Sequence, residues 1–133
     1  MITDASVAFK WIVPEADSQH ADALLALDLL APRLMLIEVG NALWKRVRRG
    51  ELMWSHTLME DVGRLGDLVT FLDDAEVVPR ALEIAQAIDH ATYDCIYVAL
   101  AEERDDLLIT ADERFFSKMR RHPSAKRIRM LGA

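Results

Sequence analysis

The sequence predicts an α/β fold in which helices cover both faces of a mostly parallel sheet. Three observations predict it. Short apolar runs suited to strands alternate with stretches of helical period. Proline and glycine punctuate the boundaries, at Pro14, Pro32, Gly50 and Pro79. Acidic residues stand at the ends of the apolar runs, where an open α/β sheet binds its ligands.

The elements follow in order. A short strand at 1–4 leads into a helical stretch near 6–12, stopped by Pro14. Ser18 is placed to N-cap a helix to about Leu30, with Leu24 and Leu25 on its buried face, and Pro32 breaks it. A strand is expected at 33–37, then a helix from about Glu38 to Arg49. Its stripe is Val39, Leu43 and Val47, and Gly50 is its C′ residue. Ser55 caps a helix to about Val69, and Val77-Val78 reads as a brief strand before Pro79. Ala81, Ile84, Ala85 and Ile88 form one helical stripe, and 94–104 is apolar nearly all round, as a buried helix would be. A strand at 107–110, a helix at 113–121 and a last strand at 128–131 complete the alternation.

The length of 133 residues suits one domain spanning 1–133, with a core that needs no disulfides. No apolar run approaches the ~20 residues of a membrane helix. Asp4 and Lys10 interrupt the N-terminus before an apolar core develops, so no signal peptide is expected. Cys95 is the lone cysteine; it reads as packing, and a reducing cytoplasm fits. No His or Cys pair has zinc-ligand spacing. The net charge is -6, yet eleven of the sixteen Lys and Arg fall in Lys45–Arg49 and Arg114–Arg129. Such runs are either solvated helix faces or local contacts to a phosphate backbone; Arg48, Arg49, Arg120 and Arg121 are the candidates for the latter.

Asp4, Glu38 and Asp112 each follow an apolar run, and Asp94 opens one. Each has a purely structural reading, as a helix cap or a first-turn acid worth ~1 kcal/mol. Jointly they fall on one predicted edge of one sheet. Converging there, they would repel by roughly 3 kcal/mol per pair at about 5 Å and an effective dielectric of about 20. Such a cluster takes up protons or a cation, and Mg²⁺ prefers carboxylate and water oxygens. One or two metals can activate water for in-line phosphoryl displacement. No phosphate-binding glycine loop or nucleophile elbow offers a different chemistry, and His20, His56, His90 and His122 are scattered without motif spacing. His90 lies just before Asp94 but reads as a structural loop histidine.

In order and spacing, Asp4-Ala5-Ser6, Glu38-Val39-Gly40-Asn41-Ala42-Leu43, Tyr93-Asp94 through Glu102, and Thr110-Ala111-Asp112 resemble PIN-domain ribonucleases. More narrowly they resemble the VapC toxins of type II toxin–antitoxin systems. The resemblance spans the whole chain. It implies a three-layer α/β/α sandwich with a central parallel sheet, and RNA cleavage dependent on Mg²⁺ or Mn²⁺. It implies a homodimer and a cognate antitoxin. The family's acidic quartet falls on Asp4, Glu38, Asp94 and Asp112, and its accessory polar positions on Ser6, Asn41 and Thr110. Ser6 and Thr110 would hold carboxylates or the scissile phosphate, and Asn41, one turn from Glu38, would orient it or tie down a loop. Two departures stand out: only three residues precede Asp4, leaving a stubby first strand or a misplaced start, and Cys95 replaces a small residue.

Two other readings have distinct sequence requirements. A receiver-type signalling domain wants adjacent N-terminal acids and a Lys beyond the final strand; here Asp4 is alone and no Lys follows Ile128. A catalytically inactive RNA-binding module would not need all four acids.

Overall fold

The computed structural model describes residues 1–133. Five strands form one all-parallel sheet in the order β3-β2-β1-β4-β5. They are β1 (Ile2–Thr3), β2 (Leu30–Pro32), β3 (Thr70–Leu72), β4 (Leu108–Thr110) and β5 (Ile128–Met130). In the register of the central pair, Ile2 lies opposite Leu108 and Thr3 opposite Ile109. The helices are α1 (Ala5–Ile12), α2 (Ser18–Leu24), α3 (Leu34–Arg48), α4 (His56–Gly63), α5 (Leu65–Leu68), α6 (Val78–Ile88), α7 (Thr92–Glu103) and α8 (Glu113–Met119).

Parallel neighbours need crossovers, which are right-handed almost without exception. The chain steps one way across the sheet from β1 to β3 and the other way from β4 to β5. The helices therefore divide between the two faces, α1 to α5 on one and α6 to α8 on the other. Packing agrees: α1 lies against α2 and α3, while α6 lies along α7. No helix is long and apolar enough to cross a membrane.

The core explains the most buried helix. Residues Cys95 to Ala101 of α7 are buried without a break, because α7 packs on β1, β2 and β4 as well as on α6. Cys95 is packing material; burial, with Asp94 adding repulsion, pushes its thiol up to about 11. Gly50 ends α3 with φ 74, a conformation glycine adopts at no steric cost.

Several expected boundaries move. The run Leu34-Met35-Leu36-Ile37 is not a strand but the first turn of α3, and the strand lies earlier, at Leu30–Pro32. Buried Met35, Val39 and Leu43 make one stripe at steps of four, while Ile37 is 71% exposed. A short run that is apolar on every side does not distinguish a strand from a helix start. The helix expected to reach Leu30 ends at Leu24, and Leu25 is exposed. Ser18 is the first residue of α2 rather than its cap, and its hydroxyl accepts from the Glu15 N–H at 2.8 Å. The helix after Ser55 breaks at Arg64 into α4 and α5, and the third strand follows at Thr70–Leu72. Val77-Val78 is no strand: a 3₁₀ turn over Ala75–Val77 runs into α6, whose first turn holds Pro79. Proline there starts a helix, since its missing N–H would be unpaired anyway.

Candidate active site

The strand order reverses between β1 and β4, so the chain ends of these strands open the crevice where open α/β sheets take ligands. Asp4 follows β1 directly, and Thr110 is the last residue of β4. A cleft of about 360 Å³ lies there, and Asp4, Glu38, Asp94 and Asp112 all line it. Asp4 and Asp112 come from strand ends. Glu38 and Asp94 come from α3 and α7, on opposite faces of the sheet. Glu38 therefore arrives in the second turn of a helix, not at the end of a strand.

Asp4 is 5% exposed and held from three directions. The Val7 N–H donates to Oδ1 at 3.2 Å, which N-caps α1, and the Ser6 hydroxyl donates to the same oxygen at 2.5 Å. The Thr110 hydroxyl donates to Oδ2. Ser6 also accepts from the Ala111 N–H at 2.8 Å, and Thr110 accepts from the Asp112 N–H at 3.1 Å. Two hydroxyls thus stitch α1 to the end of β4 through one carboxylate. Burial still wins over these donors: it pushes Asp4 up from 3.8 to about 6, with Asp94 adding repulsion.

Glu38 is half-buried and titrates higher still, at about 7. Burial raises it, the Tyr97 hydrogen bond opposes this, and Asp94 and Asp4 add repulsion. The Tyr97 hydroxyl donates to Glu38 Oε1 at 2.7 Å. Tyr97 itself is 1% exposed, and burial beside Glu38 drives its hydroxyl far above the ordinary range, so it remains a donor. Asp94 shares Oδ2 with His90 Nε2 at 2.5 Å, and the His90 ring leans on Phe115 at 5.1 Å between centroids. Asp112 N-caps α8, accepting from the Phe115 N–H at 3.0 Å. For Asp4 and Asp112, the cap and the cleft are the same carboxylate.

Other expected residues lie elsewhere. Asn41 is exposed and makes no side-chain hydrogen bond; the residue that holds Glu38 is Tyr97. Arg48, Arg49, Arg120 and Arg121 are exposed, and none lines the cleft. The cations on its wall are Lys10 and Arg46, with Glu15 between them. Sequence reasoning misses the site roles of His90, Tyr97, Lys10, Glu15 and Arg46. A signal exists for Tyr97, a polar group one turn from Asp94 in an otherwise apolar run. Arg46 is indistinguishable within a basic run, and His90 has the sequence surroundings of a loop residue.

No three His, Cys, Asp or Glu side chains are gathered tightly enough to enclose a metal by themselves. The donor set nonetheless fits a hard cation that keeps its waters. It is made of carboxylates, and three of them commit one oxygen each to a protein donor: Oε1 of Glu38, Oδ2 of Asp94 and Oδ1 of Asp112. Burial, with repulsion from Asp94 added to it, raises Asp4 and Glu38, and a divalent cation beside them would favour their charged forms.

A second concavity, apolar and about 340 Å³, lies between α3 and α4. Trp44, Val47, Trp54, Leu58 and Met59 are among its lining residues. Trp44 and Trp54 are 54% and 57% exposed. Trp11 differs: its indole N–H donates to the Ala21 carbonyl at 2.9 Å, tying α1 to α2.

Known proteins share this arrangement of chain. Residues 1–121 match the PIN domain family. Ribonuclease VapC3 from Pyrobaculum aerophilum is 32% identical over 122 residues, covering 89% of this chain and 93% of that one. Among solved structures, that of PAE2754 from Pyrobaculum aerophilum superposes with a TM-score of 0.74 at 23% identity, over 98% of this chain and 87% of the other. A toxin–antitoxin complex from Klebsiella pneumoniae gives 0.66 at 12% identity, over 96% and 94%. These low-identity likenesses establish the sandwich fold, and the sequence matches establish the family, which removes the receiver-type alternative. The chain belongs to the PIN-domain family and, within it, stands with the VapC proteins.

Proposed function

We propose that this protein is an endoribonuclease dependent on Mg²⁺ or Mn²⁺, and the toxin of a toxin–antitoxin pair. The observation that carries the reading is the meeting of Asp4, Glu38, Asp94 and Asp112 on one cleft of a PIN-domain chain. The kinship with a protein named as a ribonuclease supports RNA as the substrate. In the hydrolysis, water oxygen bonds to phosphorus, the P–O bond to one ribose breaks, and the departing oxygen takes a proton.

The chain's residues then have distinct tasks. Asp4 and Asp94 would be the primary cation ligands. Glu38, whose Oε1 is taken by Tyr97, would bind the cation or position its water, and Asp112 would complete the acidic rim and could serve a second ion. When bound, the cation supplies a water of lowered pKa and neutralises charge that builds on the phosphate. Ser6 and Thr110 lock the Asp4 carboxylate in one orientation, and Tyr97 and His90 do the same for Glu38 and Asp94. Fixed ligands need little rearrangement during the reaction, which is where preorganised sites gain rate.

The apolar groove between α3 and α4 is the proposed seat of the antitoxin. A segment folding there would bring an Arg or Lys to the acids and displace the cation. A homodimer is the proposed assembly, and the cytoplasm the proposed location.

The test is cleavage of a structured RNA by purified protein with Mg²⁺ or Mn²⁺, repeated with chelator. Chelation should abolish cleavage. Asp94→Asn should keep the fold and lose activity on the order of 100-fold or more, the scale of removing one preorganised electrostatic group. Undiminished cleavage by the folded variant would sink the assignment, and an RNA-binding protein that never cleaves would point to an inactive module.

A further inference from the structure

We propose that Lys10 and Arg46 form a seat for a phosphodiester group of the RNA beside the acid cluster, and that the Glu15 carboxylate fills this seat until RNA displaces it. The proposal rests on the ribonuclease reading and adds to it a binding subsite and its built-in competitor.

The cleft has two cations on its wall, and one carboxylate spans them. Glu15 Oε1 lies 3.4 Å from Lys10 Nζ, and Oε2 lies 3.6 Å from Arg46 Nη2. A pair of anionic oxygens straddling an ammonium and a guanidinium is also what a phosphodiester presents with its two free oxygens. Both contacts are longer than a charge-assisted hydrogen bond, which is about 2.7–2.9 Å. The Glu15 side chain is partly exposed, so water already reaches it.

Each cation has a second anchor that does not involve Glu15. Lys10 pairs with Asp17 at 2.8 Å. Arg46 reaches Glu51 through Nε at 3.4 Å and lies over the Phe9 ring at 5.0 Å. The cations therefore keep their places when Glu15 swings away. The backbone there is also held independently, since the Glu15 N–H donates to the Ser18 hydroxyl at 2.8 Å. Only the side chain of Glu15 must move. The Glu15–Arg46 pair is about one-third exposed on both sides, so water takes over those charges at little cost, and the more buried Lys10, 10% exposed, keeps Asp17 as its partner when Glu15 leaves.

The seat answers an electrostatic difficulty. Four carboxylates repel a polyanion, and the exposed arginines lie outside the cleft. Two cations on the same wall give the nucleotide chain a place to bind next to the acids.

The experiment measures binding of a fluorescein-labelled, mixed-sequence single-stranded RNA by anisotropy. Chelator halts cleavage, and salt is varied between about 50 and 200 mM. Wild type is compared with Lys10→Gln, Arg46→Gln and Glu15→Gln, each checked for its melting transition. Arg46→Gln should lower the salt slope by up to roughly 0.7, the value of one phosphate contact on a single strand, and Lys10→Gln, which faces the same phosphodiester, should lower it by no more than that. Glu15→Gln should bind RNA more tightly, by roughly fivefold at the low-salt end, the effect of removing one like charge about 6 Å from a phosphate at an effective dielectric of about 60. A mere brace between α1 and α3 would give the opposite sign or none in Glu15→Gln. An unchanged slope in folded Arg46→Gln, or no gain in Glu15→Gln, overturns the proposal. Wild-type protein that neither binds nor cuts RNA overturns the ribonuclease reading as well; wild type that does both while the variants match it overturns the seat alone.

Discussion

Asp4 carries two opposed demands. As N-cap of α1 and acceptor for Ser6 and Thr110 it ties the end of β4 to the start of the first helix. As a buried anion beside Asp94 it is poorly solvated, and its carboxyl is pushed up to about 6. Its affinity for a proton is therefore higher in the folded chain than in the unfolded one. By linkage, that contribution to stability is complete below about pH 4 and is lost as pH rises through about 6. The full loss is ~3 kcal/mol, since each tenfold gain in proton affinity on folding is worth about 1.4 kcal/mol. Chelated protein should thus show falling stability between about pH 4 and 7 in urea titrations, with Glu38 extending the upper end. Asp4→Asn keeps a capping side chain and removes the charge. It should flatten that profile, raise the metal-free melting temperature at pH 7 by several degrees, and blunt the further rise that millimolar Mn²⁺ gives the wild type. A wild-type melting temperature indifferent to Mn²⁺ would contradict a shared cation site.

At the scale of the element, α3 carries three different surfaces. Its stripe of Met35, Val39 and Leu43 enters the core, Glu38 and Arg46 reach the cleft, and Trp44 and Val47 form the apolar groove with α4. The basic run 45–49 is therefore not one patch. Arg46 turns to Glu15 and Phe9 on the cleft wall, while Arg48 lies over Trp44 at 5.4 Å and does not line the cleft. Neutralising Arg48 and Arg49 together, or Arg120 and Arg121 together, should lower RNA affinity and its salt slope if the bound strand extends beyond the cleft. An unchanged slope for both pairs would confine RNA contacts to the cleft and leave these arginines as solvated surface.

At the scale of the whole molecule, the sheet places one crevice at its switch point, and the helices leave an apolar groove on one layer. Trp44, Trp54 and Met59 are over half exposed, the kind of surface that partner segments cover. The purified protein should run as a dimer in light scattering, and co-expression with the proposed antitoxin, the product of an adjacent small gene, should give a tight complex with suppressed cleavage. Trp44→Ala together with Trp54→Ala should weaken that complex by about 2 kcal/mol or more, the loss expected of paired interface anchors. The metal-dependent activity of the free protein should remain. A monomer at high micromolar concentration would refute the dimer, and a complex that cuts RNA at the free rate would refute inhibition.

The alternation of apolar runs with helical periods is enough for the α/β class and for most helices, because side-chain periodicity is a local property. It also brings out Asp4, Asp94 and Asp112, which stand at element boundaries where a polar side chain interrupts an apolar pattern. Local pattern fails where a short segment is apolar all round: Leu34–Ile37 and Val77-Val78 read as strands but are helical, since so few apolar residues in a row fit either period. Thr110 matches an accessory position of the family, yet its contact with Asp4 spans 106 residues and exists only because β1 and β4 are neighbours. Tyr97 reaches Glu38 for the same kind of reason, across 59 residues. Which basic residues face the acids is likewise a matter of packing: Lys10 and Arg46 line the cleft because α1 lies against α3, and nothing in the run Lys45–Arg49 marks Arg46 apart from its neighbours. Residue type announces what chemistry is present along a chain, but only long-range contact selects which of those groups share one low-dielectric crevice, and it is there that burial and repulsion act on Asp4 and Glu38.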